Sequence, residues 1–220
     1  MFKSRTRPIV IPQYEHLKLA GALALLWGNT QFERPPIPFD SFVKGIGLHD
    51  RAYGTLDNHP ILEAPEAEWL ALTRRGFDTA WADAAAEAIA KLHLHRLVSY
   101  GSAPARQTLA AEMAEAIAAH MEQHGLDPAL FARIDRVTRL CDDIAFAFCF
   151  EAPVDGSVRV FPHYDRDEEV EVRYRVAEGK ITLDPWPFGV ERSVGYLIGY
   201  QREGYPDVLE PVIVHYTVGA

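Results

Sequence analysis

The chain has 220 residues, 48% of them apolar and 24% charged, which is enough material for one sizeable core and too apolar for a disordered chain. Its 22 basic residues against 31 acidic ones give a net charge of −9 with no run of Lys or Arg, and this argues against a nucleic-acid polymer or an anionic membrane surface as the main partner. The longest apolar run, Leu19 to Trp27, is too short to span a bilayer, and the first residues lack the layout of a signal peptide, so a cytoplasmic protein is expected.

Residues 1–13 read as a tail or short strand around Pro8 to Pro12, with Lys3, Arg5 and Arg7 as a solvated basic cluster. Tyr14 to Trp27 is rich in helix formers and is expected to be a helix stopped by Gly28-Asn29. His16 lies in its first turn, on the side of Ala20 and Leu23, where it suits either a core histidine bonded to a carbonyl or a ligand. After a proline-rich loop, Asp40 is expected to cap a second helix from Ser41 that carries Phe42, Val43 and Ile46 and delivers His49-Asp50. An imidazole and a carboxylate side by side at the end of an apolar run are costly to bury without partners. A metal ion bound by both satisfies the pair at once, and His nitrogen with Asp oxygen suits Zn, Mn, Fe, Co or Ni. Gly45 and Gly47 weaken the helix by about 1 kcal/mol each against Ala, a cost that makes sense where another backbone or a ligand approaches closely. Arg51 to Pro65 reads as a loop of the kind that binds ligands beside a polar cluster.

Pro65 to Arg75 is expected to be a short helix with Trp69 and Leu72 inward, and Asp78 to cap a longer one reaching Tyr100, with Trp81, Ala85, Ala88, Ile89 and Leu92 on its face. His93 and His95 sit near its end and point about 200° apart, so at most one of them addresses a shared site. Ala105 to His124 follows as a helix stopped by Gly125, with His120 and His124 at the surface. Asp127-Pro128 opens the last helix, which runs to Phe150 on a stripe of Ile134, Val137, Cys141, Ile144 and Phe148. Cys141 and Cys149, about 12 Å apart along it, cannot bridge and read as small buried residues in a reducing compartment. Ala145 to Phe150 is apolar all round, which makes Asp142-Asp143 conspicuous: a carboxylate there is paired, protonated or metal-bound, and Asp142 is the nearer to the stripe.

From Pro153 the periodicity changes to that of strands, most clearly where Val170, Val172, Tyr174 and Val176 alternate with charged residues before a turn at Ala177-Glu178-Gly179. The expected architecture is mostly α, with a helical metal-site domain at residues 1–152 and a C-terminal antiparallel β-sheet at residues 153–220 packed on the helices, α+β overall.

His16, His49-Asp50 and Asp142 therefore stand in order on separate expected helices. This set resembles the HD-domain superfamily, whose metal sites use one His from an early helix, an adjacent His-Asp pair and a late Asp. More narrowly, the chain is similar to a bacterial family named domain of unknown function 3891, through its segments Gln13 to Leu17, Leu48 to Asp50, Leu140 to Asp142 and Pro185 to Phe188. The resemblance implies an HD-like helical core and metal-dependent phosphohydrolysis, with one divalent metal ion (Mn, Fe, Zn, Co or Ni) on His16, His49, Asp50 and Asp142, Asp143 being the alternative to the last. Arg51 would then hold a phosphate, and His93 or His95 would donate a proton or contact the phosphate. The implied partner is a small-molecule phosphoester or nucleotide, with no nucleic acid polymer and no membrane; a homo-oligomer is left open. Two other readings share this fold: a catalytically silent ligand-binding or regulatory module, and a di-iron oxygenase. The latter needs two further well-separated His ligands, where this chain offers His59 and the close pair His93 and His95. A Walker-type loop, a Gly-x-Ser-x-Gly elbow and a Cys-x-x-Cys pair are all absent from the sequence, which removes nucleotide kinases, α/β-hydrolases and zinc ribbons.

Overall fold

A computed structural model describes residues 2–59 and 63–219; the part of the loop after the dyad at 60–62 lies outside them. The chain opens with two short strands, β1 (Phe2–Lys3) and β2 (Ile9–Ile11), followed by α1 (Gln13–Leu26), α2 (Phe39–Gly47) and a 3-10 turn over Arg51–Asn58. The helical part continues with α3 (Glu66–Asp78), α4 (Ala84–Ser99), α5 (Pro104–His124) and α6 (Pro128–Phe150). Strands β3 (Asp155–Val160), β4 (Val170–Ala177), β5 (Lys180–Asp184), β6 (Arg192–Gln201) and β7 (Pro211–Gly219) complete an α+β architecture.

The sheet has the order β1-β2-β6-β7-β5-β4-β3. It departs from the all-antiparallel expectation at one place, where β5 and β7 run parallel. The chain leaves β5, lays down β6 one position further out, and returns as β7 into the gap, so β7 opposes β6 and runs with β5.

At the N-terminus the short-strand alternative holds, and the basic residues expected to be solvated are in part engaged. Ile9, Val10 and Ile11 are all buried, so the segment needs a strand partner on its backbone, and it finds one in β6 through Ile9↔Gln201 and Val10↔Tyr200. Beyond that pairing the Ile198 N–H is satisfied by Glu15 Oε2 at 2.9 Å, a carboxylate from the first turn of α1. Arg7 pairs with Glu151 at 3.0 Å and donates to the Phe148 carbonyl at 3.1 Å, while the Arg5 guanidinium lies 4.7 Å from the centre of the Phe150 ring. These bases seal the C-terminal end of α6, where cations are favoured by the helix dipole.

Several helix ends shift from their expected positions. α2 starts at Phe39, directly after Pro38, with Asp40 inside its first turn instead of at its cap. α3 runs on to Asp78, and the residue that caps α4 is Asp83, whose carboxylate accepts the Ala86 N–H at 3.0 Å; Trp81 lies in the connection. The stretch after the dyad, expected as a loop, winds into the 3-10 turn. α5 and α6 are bounded as expected, by left-handed Gly125 (φ 61°) and by Asp127 accepting the Ala129 N–H at 2.9 Å. His124 is exposed, but His120 is not: its Nε2 donates to the Ala84 carbonyl at 3.0 Å and its Nδ1 lies 3.7 Å from Glu87, at the contact of α4 with α5. Cys141 and Cys149 are buried and free, and burial pushes both thiols up. Among the described residues no helix is long and apolar enough to cross a membrane.

The glycines of α2 are explained by packing. A Cβ on Gly21 of α1 would stand 3.0 Å from Gly47 Cα, so the two helices cross backbone to backbone, and a Cβ on Gly45 would stand 2.7 Å from Ile89 Cβ in α4. The Ile89 branch point cannot swing away as a flexible chain end would. Gly45→Ala is therefore expected to destabilise the protein by about 1–3 kcal/mol, whereas Gly54→Ala, with no neighbour within 4 Å of the added carbon, should stay close to wild type. Urea midpoints of the two variants decide this; equal midpoints would refute the close-packing account.

Candidate metal centre

The apolar face of α1 buries Leu19, Ala20 and Leu23 and carries His16 in with it to zero exposure. α2 ends at Gly47, and the turn that follows drops His49 and Asp50 beneath the same face, both buried. α6 brings Asp142 from the opposite side, one residue along from Cys141 on the buried stripe. One ligand atom from each of His16, His49, Asp50 and Asp142 lies within 4.8 Å of every other, and all four residues are buried. His16 Nε2 stands 3.3 Å from His49 Nε2 and 3.2 Å from Asp142 Oδ1, His49 Nε2 stands 3.3 Å from that oxygen, and Asp50 Oδ2 is 3.7 Å from His49 Nε2. Adjacent donor atoms about 2.1 Å from one small cation stand roughly 3.0–3.4 Å from each other in octahedral or tetrahedral sites; the three distances among His16, His49 and Asp142 match that spacing, and Asp50 Oδ2 stands a little wider, so the group could hold a single divalent ion. The donor chemistry fits as well: two imidazoles and two carboxylates suit a transition metal of borderline softness.

The ring of His49 is oriented for that use. Its Nδ1 donates to the Ile46 carbonyl at 2.5 Å, which leaves Nε2 facing the cluster. His16 is held differently, stacked on the Phe2 ring at 4.8 Å, and its buried Nδ1 has no hydrogen-bond partner among the described residues.

The charges lead to the same conclusion. Burial by itself lowers the His49 pKa, but the Asp50 charge, and then the hydrogen bond and charge of Asp142, outweigh it and lift the imidazole to about 9. Burial opposes ionisation of Asp142, yet the His93 ring and the bonds from His16 and His49 hold its carboxyl well below the usual range; Asp50 is lowered in the same way by His93 and His49. Two buried carboxylates thus call for a positive charge at this point, which a proton on His49 or a metal ion supplies.

Asp143 stays outside the cluster. It faces Arg139 at 3.5 Å, and burial followed by the neighbouring Asp142 charge pushes its carboxyl up to about 6. His93 and His95 separate as their spacing requires. His93 is fully buried with Nε2 2.7 Å from Asp50 Oδ1, whereas His95 is only partly buried and its ring meets Ser99 Oγ at 3.4 Å. Burial, ahead of the opposing Asp50 charge, keeps His93 below the ordinary histidine value. Arg51 is exposed, with its guanidinium 4.2 Å from the centre of the Trp81 ring, and does not line the cavity described next.

Asp50 and Asp142 form the floor of a cavity of about 470 Å³, with Phe2, Leu56, Leu97 and Phe146 among its apolar walls. The cation on its wall is Arg106 of α5, whose Nε donates to Glu66 Oε1 at 2.6 Å and whose guanidinium lies 4.7 Å from the centre of the Trp69 ring. Trp69 in turn stacks on Tyr53 at 6.3 Å, and the Tyr53 hydroxyl meets Thr73 Oγ1 at 2.7 Å. Sequence reasoning missed Arg106, and missed Gln13, whose Nε2 donates to Asp50 Oδ2 at 3.0 Å. Arg106 carries no local signal, because it reaches the site only through helix packing, whereas Gln13 stands three residues before His16 on α1. The Arg96 bond to His93 did have one, a spacing of three residues on a helix.

The chain matches the family described as "Protein of unknown function (DUF3891)" over residues 2–196. No curated protein and no solved structure matches it.

Proposed function

The chain belongs to this family, and from that premise and the geometry we propose that it is a metal-dependent phosphohydrolase of HD-domain type acting on a small phosphoester. The observation that carries the proposal is that the carboxylates of a buried two-His, two-Asp cluster form the floor of a cavity whose wall bears a guanidinium. The order of the donors along the chain, one early His, an adjacent His-Asp pair and a late Asp, supports the superfamily assignment.

His16, His49, Asp50 and Asp142 would hold one divalent ion. When bound, such an ion lowers the pKa of its water towards neutrality and polarises a phosphoryl oxygen. Arg106 meets the negative phosphate, and because Glu66 and the Trp69 face already orient its guanidinium, little side-chain freedom is lost on binding. The walls of Phe2, Leu56, Leu97 and Phe146 exclude water from the rest of the substrate, which strengthens every charge interaction at the floor.

Metal-loaded protein tested against a panel of phosphomonoesters and phosphodiesters should release phosphate or cleave the diester. Arg106→Gln should lower kcat/KM by roughly 10² while keeping its metal. Turnover of none of the panel by fully metal-loaded protein would refute the proposal and favour a ligand-binding module on the same fold.

A further inference from the structure

His93 is fully buried beside the donor cluster, and its two ring nitrogens have different tasks. Nε2 stands 2.7 Å from Asp50 Oδ1, and Nδ1 stands 2.9 Å from Arg96 Nη2. A guanidinium only donates, so Nδ1 accepts, and in the neutral ring the proton sits on Nε2, from which it is donated to Asp50. Arg96 is itself anchored, since its Nε donates to Asp135 Oδ2 at 3.1 Å. The result is a directed chain from Asp135 through Arg96 and His93 to Asp50, whose other oxygen, Oδ2, faces His49 and accepts a second hydrogen bond from Gln13 Nε2 at 3.0 Å.

We infer that His93 is a positioning residue of the metal centre and not one of its ligands: Arg96 locks the ring as an Nε2 donor, and that donor holds the Asp50 carboxylate with Oδ2 turned to the metal. The inference rests on the reading that the quartet binds a metal. It also sets the number of ions at one. Both nitrogens of His93 are engaged, and the guanidinium on Nδ1 places a fixed positive charge where a second cation would have to approach. The two-metal arrangement required of a di-iron oxygenase is disfavoured by the same contact.

The test takes the full chain stripped of metal and titrates it with Mn(II) and, separately, Zn(II), as wild type, His93→Gln and His93→Leu. The Gln amide puts an N–H donor close to the Nε2 position, and Leu fills the volume without one. Wild type should bind one ion per chain, His93→Gln should stay within about threefold of it, and His93→Leu should bind about 10- to 100-fold more weakly. Nitrogen-15 spectra of the histidine rings in metal-free wild type should show the His93 proton on Nε2, and Arg96→Leu should remove that preference. Two ions per chain, undiminished affinity in the Leu variant, a Gln variant as weak as Leu, or a proton on Nδ1 in wild type would each overturn the inference. If the Leu variant does not fold, the ion count and the ring spectra of wild type decide. Wild type that binds neither ion overturns the metal reading and this inference with it, an outcome distinct from the others, which are all read against a wild type that binds.

Discussion

Asp142→Ala is expected to lose at least about 100-fold in metal affinity, and to leave the expression host with almost none of the metal that wild type carries, while its neighbour variant Asp143→Ala keeps wild-type metal content. The two carboxylates differ by one position on α6, but only Asp142 Oδ1 reaches both His16 Nε2 and His49 Nε2, at 3.2 and 3.3 Å, whereas Asp143 turns to Arg139. Removing an outer hydrogen-bonding partner of a metal ligand already costs about 10- to 100-fold, so removing a ligand that bridges two others costs at least the upper end of that range. In the metal-free protein the same change leaves two buried imidazoles without their carboxylate and should destabilise the fold by about 1–3 kcal/mol. Elemental analysis of the two variants beside wild type checks the first expectation and urea unfolding the second. Equal metal in both variants would remove Asp142 from the ligand set.

Between pH 6.5 and 9, metal-stripped protein should become less stable while its affinity for a divalent ion rises. His49 titrates near 6.5 when unfolded and near 9 when folded, because the buried Asp50 and Asp142 carboxylates favour its charged form. A raised folded pKa contributes stability that is complete below 6.5 and is lost as pH climbs through 9, here by about 3 kcal/mol at most. No other group of the cluster is shifted upward into that interval. Asp50 and Asp142 are lowered, so their contribution needs only a pH above 3.8 and stays constant; His93 is lowered from 6.5 by burial, so its contribution has the opposite sign to that of His49 and is complete once the pH stands above 6.5. The metal competes with the His49 proton, so its apparent affinity should rise about tenfold per pH unit, roughly 10² over the interval. Urea midpoints of stripped protein and ion titrations at the two pH values test this, and His49→Gln should flatten both trends. If stability and affinity moved in the same direction, a protonated His49 would not be the occupant that the metal displaces.

Much of this was legible in the chain. The α5 and α6 boundaries follow from local chemistry, proline at the first helical position and a glycine free to turn left-handed, which acts over a few residues and needs no tertiary partner. Other boundaries moved because two competing caps lay close together. Asp78 and Asp83 are both good N-caps, and α3 absorbed the first because Phe77 buries against the core and draws its helix onward. The N-terminal segment reads as either a tail or a short strand because three residues of β2 carry little periodicity by themselves; their partner in β6 lies about 190 residues away.

By itself the sequence determined the type and order of most elements and the amphipathic faces they bury, and it made His16, His49-Asp50 and Asp142-Asp143 conspicuous, since a His or Asp on an apolar stripe has few inexpensive fates; it left His16 between core and cluster, and Asp142 against Asp143, for the fold to decide. Tertiary structure alone decided which polar residues meet those donors. His93 faces Asp50, with Arg96 behind it, because α4 packs beneath α2 at Gly45 and Ile89, and Arg106 reaches the cavity from α5 because Glu66 of α3 holds it there. Hydrophobic periodicity specifies which side of a helix is inward, but not its height or its partner. Those are set by the fit of one helix against the next, and the site is assembled where three such fits coincide.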